Sequence, residues 1–210
     1  MNTRIVIFAK APRPGLVKTR LIPALGADGA AALAGYLLHS TLEEVRHSQA
    51  DSVELCAEPA FDDPAWQGVS FPENISLSYQ GAGDLGERMA RVVQRVVSQG
   101  ERVILIGTDC PGLTRQKLNE AIAALQTQRA VMFEALDGGY TLLGLQAFDP
   151  ALFTQIAWST DKVSEQTHLA FSRLGWQCKV LGRLADIDRP EDLRGLPSTW
   201  RPAVELLINE

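Results

Sequence analysis

The chain has 210 residues, 46% hydrophobic and 21% charged, with a formal net charge of −5. That length supports one domain with an ample core, and that balance excludes a disordered chain and a general nucleic-acid surface. The three cysteines (Cys56, Cys110, Cys178) and three histidines (His39, His47, His168) are too scattered for a disulfide framework or a zinc site.

Residues 4–9 (RIVIFA) form a continuous apolar run, the pattern of a parallel strand buried on both faces. The run is too short for a signal-peptide core, and no apolar run approaches the 18 residues of a membrane span. A cytoplasmic protein away from membranes is expected. The loop that follows, FAKAPRPGLVKTRL at 8–21, is dense in cations. Residues 1–20 hold Arg4, Lys10, Arg13, Lys18 and Arg20 and no acid, whereas the remainder has 15 basic against 25 acidic residues. A concentrated positive site on an acidic body suits a small polyanion.

Beyond it, Asp28 is placed to cap a helix running to about His47, with Leu33, Leu37, Leu38, Leu42 and Val45 on one side. Residues 52–57 read as a strand, 58–74 as an irregular excursion with three prolines, and 75–80 as an alternating strand. Asp84 followed by Glu87 has the spacing of a capping box, and Gly100 supplies the stop of that helix. Residues 102–107 (RVILIG) are a buried strand, and Thr114 can cap a helix to about Gln126. Strands are expected at 130–135 and 140–145, a helix at 162–174, an extended segment at 178–181 and a short helix opened by Pro190. Repeated β-α units predict a three-layer α/β/α sandwich with a mostly parallel mixed sheet. Ligands of such sheets sit beyond the carboxyl ends of the strands, so the chemistry is expected near Lys10, Thr108 and Asp137.

Four constellations meet that expectation. In the basic loop, Pro12 and Pro14 stiffen the chain and Gly15 permits close backbone approach. Lys10, Lys18 and Arg20 can then converge on phosphate oxygens; otherwise the loop is a solvated basic surface. Asp109, at the tip of an apolar strand in Gly107-Thr108-Asp109-Cys110-Pro111, can hold a divalent cation or simply cap a turn. Asp137-Gly138-Gly139-Tyr140 fits a tight hairpin turn, or a backbone lying flat on a sugar or phosphate with Asp137 as acceptor, metal ligand or base. The fourth constellation is Trp158-Ser159-Thr160 together with residues 186–193, DIDRPEDL. There Asp186 or Asp188 can add a second metal carboxylate, and Pro190, Glu191 and Asp192 suit a helix start.

These motifs, FAKAPRPGLVKTRL, GDLGERM, GTDCPGL, DGGYTLLGL, WSTDKV and DIDRPEDL, together resemble a bacterial family of small proposed glycosyltransferases of the GT-A fold, DUF2064. The resemblance runs from about residue 4 to 195, and the basic loop and DGGY are its most specific parts. It also reaches nucleotidyltransferases that activate cofactor precursors. It implies a single GT-A-like domain over 1–210, with a nucleotide-binding half at about 1–113 and an acceptor-side half at about 114–210. It implies Mg²⁺ or Mn²⁺ at Asp109, where the Asp-x-Asp common in such enzymes reads Asp109-Cys110-Pro111. The nucleotide or its diphosphate would lie on Ala9, Lys10, Pro12, Gly15, Lys18 and Arg20, with Gly86 and Arg88 at a helix N-terminus. Asp137 would orient or deprotonate the acceptor hydroxyl. Gly138, Gly139, Tyr140, Trp158, Ser159 and Thr160 would line the acceptor side. The expected partners are a nucleotide-diphospho-sugar or a nucleoside triphosphate, and a small-molecule acceptor. Transfer of a glycosyl group leads; nucleotidyl transfer and nucleotide binding without turnover are the alternatives.

Overall fold

The computed structural model describes residues 1–197 and Trp200. Seven strands form one sheet: β1 (Thr3–Lys10), β2 (Ser52–Glu58), β3 (Ser76–Tyr79), β4 (Arg102–Ile106), β5 (Ala130–Ala135), β6 (Tyr140–Leu145) and β7 (Cys178–Leu184). Their order across the sheet is β3-β2-β1-β4-β6-β5-β7. Every pairing is parallel except the two made by β6, which runs against both β4 and β5. The six co-directional strands therefore point their carboxyl ends at one edge of the sheet.

Alternation along the strands explains the layers. On β1, Ile5 and Ile7 face one way and Val6 the other, all fully buried, as a strand covered on both faces requires. The first face packs against α1 (Ile22–Arg46), through Leu38, Leu42 and Val45, and against α3 (Arg115–Leu125), through Leu118, Ile122 and Leu125. The second packs against α2 (Leu85–Ser98), through Met89, Val92, Val93 and Val96, and against α4 (Val163–Arg173), through Ala170 and Phe171. This is the expected α/β/α sandwich on a mixed sheet.

The helix starts show where local signals hold. Asp84 caps α2 as expected: its carboxylate accepts from Glu87 N–H at 2.9 Å, and Glu87 returns a bond to Asp84 N–H at 2.9 Å. Asp28, by contrast, is not the cap of α1. The helix begins at Ile22 with Pro23 in its first turn and breaks at Gly26 (φ 71°, ψ 171°). Asp28 lies in the first turn after that break, where a carboxylate suits the positive end of the restarted helix. Thr114 stands at the N-cap of α3, but its side chain accepts no cap bond; Glu44 of α1 accepts from Arg115 N–H at 2.5 Å instead. β7 extends to Leu184, three residues beyond the expected segment.

A helical stretch of 28 residues, Thr19–Arg46, has the length and mean hydropathy (1.5) of a membrane span. Its apolar face is spent in the core, with Leu33, Leu37, Leu38, Leu42 and Val45 at most 3% exposed.

Candidate nucleotide and metal site

Three segments meet beyond the carboxyl end of β4. The first is the basic loop leaving β1. Ala11 is buried, its N–H donates to the Glu58 carbonyl at 2.9 Å, and Pro12 packs close to Gly35 of α1. Gly15 then turns the chain with φ +77° into open space. Lys18 takes a left-handed conformation (φ 47°), which is uncommon for a residue with a Cβ and sits at the edge of a 3-10 turn (Thr19–Leu21). That conformation turns its side chain inward, where it is only 5% exposed.

The second segment is the β4 end. Asp109 is half-exposed, and its carboxylate lies 2.7 Å from Lys18 Nζ. The third is a strap, residues 185–188, that leaves β7 and crosses back over the ends of β5 and β4. Leu136 N–H donates to the Leu184 carbonyl at 3.1 Å, and Ile187 N–H to the Asp109 carbonyl at 2.8 Å. The Ile187 carbonyl accepts from Lys18 Nζ at 2.5 Å. The Ile187 side chain is 1% exposed and anchors the strap among Leu21, Leu25, Leu33 and Leu37. Arg20 pairs with Asp188. The expected cations Lys18 and Arg20 and the expected carboxylates Asp109 and Asp188 are thus brought together. Lys10 ends β1, exposed and in register with Glu58, and makes no ion pair with a described residue. Arg13 reaches Asp63 only at 3.9 Å across solvent.

Asp186 carries the electrostatic signature of the site. Burial first, and then the carboxylates of Asp137, Asp188 and Asp109, push its carboxyl above the ordinary value. Four acids therefore share one edge, and Lys18 and Arg20 engage only two of them. Asp137 forms a turn with its own backbone, accepting from Gly139 N–H at 2.9 Å, and is otherwise exposed. Gly138 makes this possible. Its φ is +94°, and a Cβ there would stand 2.2 Å from the Asp161 carbonyl oxygen. The Gly138 carbonyl accepts from Ser164 N–H at 2.8 Å, which docks the start of α4 at the same edge.

The donor set suits a hard divalent cation: carboxylate oxygens, with excess negative charge around Asp186. Among the described residues, no three His, Cys, Asp or Glu side chains form a closed cage. Mg²⁺ held by one or two carboxylates and substrate phosphates needs none. Cys110 is not a nucleophile here, because burial pushes its thiol up to about 11.

Other expected site residues have structural duties. Gly86 is buried, and a Cβ would stand 2.2 Å from Trp158 Nε1 and 2.8 Å from the Phe153 carbonyl oxygen. Its missing side chain leaves room for Trp158. Arg88 braces the β2 and β3 ends, donating to the Gly83 carbonyl at 2.9 Å and to Gln80 Oε1 at 3.3 Å, and lying 3.5 Å from Glu58. Tyr140 turns into the α2 layer with its hydroxyl 3.7 Å from Met89 Sδ, and burial pushes its pKa up. Its ring is thus partly buried against the α2 side of the sheet. Trp158 is half-buried in the same layer, while Ser159 (φ 64°) and Thr160 are exposed.

Two groups escaped the sequence reading. Gln80 is 4% exposed and donates to the Ala9 carbonyl at 3.2 Å and the Cys56 carbonyl at 3.0 Å, tying the ends of β1 and β2. The Ile187 carbonyl holds Lys18 across 169 positions of sequence. No local pattern marks either group.

Known proteins share this fold. The family described as "uncharacterized protein conserved in bacteria (DUF2064)" matches residues 41–160. A crystal structure of a proposed nucleotide-diphospho-sugar transferase from Desulfovibrio desulfuricans G20 superposes with a TM-score of 0.87 at 29% identity, covering 100% of this chain and 95% of that one. Rv0371c of Mycobacterium tuberculosis H37Rv, in complex with manganese, superposes at 0.54 with 18% identity over 93% and 98%. CMP:2-keto-3-deoxy-manno-octonic acid synthetase complexed with CTP superposes at 0.57 with 12% identity over 97% and 100%. The last two likenesses concern the fold alone. No curated protein matches the chain by sequence.

Proposed function

The chain belongs to the bacterial DUF2064 family, and from that premise we propose that it is a metal-dependent glycosyltransferase taking a nucleotide-diphospho-sugar donor and a small-molecule acceptor. The observation that carries this reading is the meeting of the basic loop, the β4-end Asp109 and the acidic strap at one point. Lys10, Lys18 and Arg20 bind the diphosphate, with Ala9, Pro12 and Gly15 shaping the floor beneath it. Asp109, with Asp186 or Asp188 as second carboxylate, would hold Mg²⁺ or Mn²⁺. Bound there, the ion supplies positive charge to the leaving diphosphate. Asp137, fixed through one oxygen by Gly139 N–H, orients the acceptor hydroxyl and takes its proton. Ser159 and Thr160 border the acceptor side.

Nucleotidyl transfer is the second reading, favoured by the likeness in fold to a synthetase complexed with CTP. The same loop would then hold a triphosphate, and pyrophosphate would leave. A product assay with Mn²⁺ separates the two. Release of nucleoside diphosphate from a nucleotide-sugar, without pyrophosphate, is the expected result. Pyrophosphate released from a nucleoside triphosphate and a sugar phosphate would move the assignment to nucleotidyl transfer. Tight nucleotide binding with neither product would leave a binding protein. A thermal-shift screen of the same nucleotides names the base, since the preferred ligand stabilises most.

A further inference from the structure

Lys18 stands out among the cations of the basic loop. Lys10 and Arg20 are exposed, whereas the Lys18 side chain is 5% exposed and its ammonium has three oxygens around it. Asp109 Oδ1 lies at 2.7 Å, the Ile187 carbonyl at 2.5 Å and Asp188 Oδ1 at 4.0 Å. Two carboxylates and a backbone carbonyl are the oxygen donors that a hard metal cation selects. The left-handed backbone at Lys18 (φ 47°) holds the ammonium among them.

We propose that Lys18 is a built-in counter-ion that occupies the cation position at Asp109 and must leave it before a divalent metal can bind. This deepens the function proposed above and rests on its assignment of Asp109 as a metal ligand. An ammonium and a divalent ion cannot share Asp109 Oδ1 at contact distance, because their mutual repulsion is strong in a partly desolvated site. The metal must therefore displace Lys18, and the released ammonium is then free for the donor's phosphates. Metal alone binds weakly as a result. Metal and nucleotide diphosphate bind as a coupled pair, since the diphosphate gives the displaced lysine a new partner. The strap also responds, because Lys18 is one of its attachments through the Ile187 carbonyl.

Mn²⁺ binding to the nucleotide-free protein, followed by electron paramagnetic resonance, tests this. Lys18→Met is expected to bind Mn²⁺ alone at least about ten-fold more tightly than the native chain. Lys18→Arg keeps the charge and is expected to stay weak. An unchanged or weakened affinity in Lys18→Met would overturn the inference. A second measurement uses the native chain and so does not depend on how a variant folds. Amine acetylation read by mass spectrometry is expected to be slower at Lys18 than at Lys10, and to accelerate several-fold at Lys18 alone when Mn²⁺ is added. No acceleration at saturating Mn²⁺ would also overturn it. Asp109→Asn isolates the underlying reading. If that variant binds Mn²⁺ with nucleoside diphosphate as tightly as the native chain, Asp109 is not the ligand and both proposals fall. If it loses Mn²⁺ while Lys18→Met gains nothing, only the counter-ion role is lost.

Discussion

Two partly or fully enclosed carboxylates, Glu54 and Asp186, divide the molecule by purpose. Glu54, on β2 beneath α2, is 2% exposed and saturated with donors. Arg95 reaches it at 2.5 and 3.1 Å, Ser78 at 2.5 Å and Arg4 at 3.2 Å. Burial raises its carboxyl, and the bonds from Arg95, Ser78 and Arg4 outweigh that, so its pKa is lowered from 4.5. Asp186, on the strap, faces the opposite balance. Its neighbours are three other acids, and its carboxyl is raised. A fold that can neutralise Glu54 so fully leaves Asp186 unneutralised. The first carboxylate serves the structure. The second, in the function proposed above, is available to a cationic ligand, at a cost in stability.

The sharpest way to break this contrast is at the site. Asp109→Ala is expected to lower metal-dependent release of nucleoside diphosphate by about 100-fold or more, and to lower thermal stability as well, because the enclosed Lys18 ammonium loses its nearest carboxylate. Native turnover in this variant would remove Asp109 from the metal site. Next comes the structural carboxylate. Glu54→Gln removes the charge that Arg4 and Arg95 share, turns one acceptor oxygen into an NH2 donor, and is expected to cost about 2 kcal/mol in denaturant unfolding. That figure is kept below a fully buried pair because Arg95 is 38% exposed. The folded pKa of Glu54 is depressed, so its stabilisation is present above about 4.5 and is lost as pH falls through the lower folded value. The gap between native and variant proteins should close in that acid range. The smallest effect is at Asp186 and has the opposite sign. Its folded pKa is raised, so the penalty is absent below its ordinary value of 3.8 and grows as pH rises through the folded value. Asp186→Asn is therefore expected to raise the unfolding free energy slightly near neutral pH, by on the order of 0.5 kcal/mol, and not at all in acid. A destabilised variant at neutral pH would erase the distinction between the two carboxylates.

Most of the architecture was legible because it is written locally. The run RIVIFA became β1, and Asp84 with Glu87 became a capping box, since both signals act within a few residues. α1 shows the limit. Asp28 drew attention as a cap, but Pro23 and the hydrophobic residues Leu21 and Leu25 start the helix six positions earlier, and Gly26 breaks it. Thr114 stands at the cap position without a side-chain bond, and a residue of another helix, Glu44, meets the first N–H of α3. The site follows the same rule. The strand-end positions of its candidate residues Lys10, Asp109 and Asp137 could be found from the pattern of strands. The pairing of Lys18 with the Ile187 carbonyl, and the packing of Trp158 on Gly86, depend on tertiary approach and left no local trace.

The strap has a consequence for how the chain is made. The carbonyl that holds Lys18 is added to the growing chain 169 residues after that lysine. A nascent chain ending before residue 184 already has every cation of the loop and the β4 carboxylate, yet lacks Ile187 to seat Lys18 and Asp188 to meet Arg20. Such contacts between distant positions form slowly and late. The centre cannot take this form until the strap has been made.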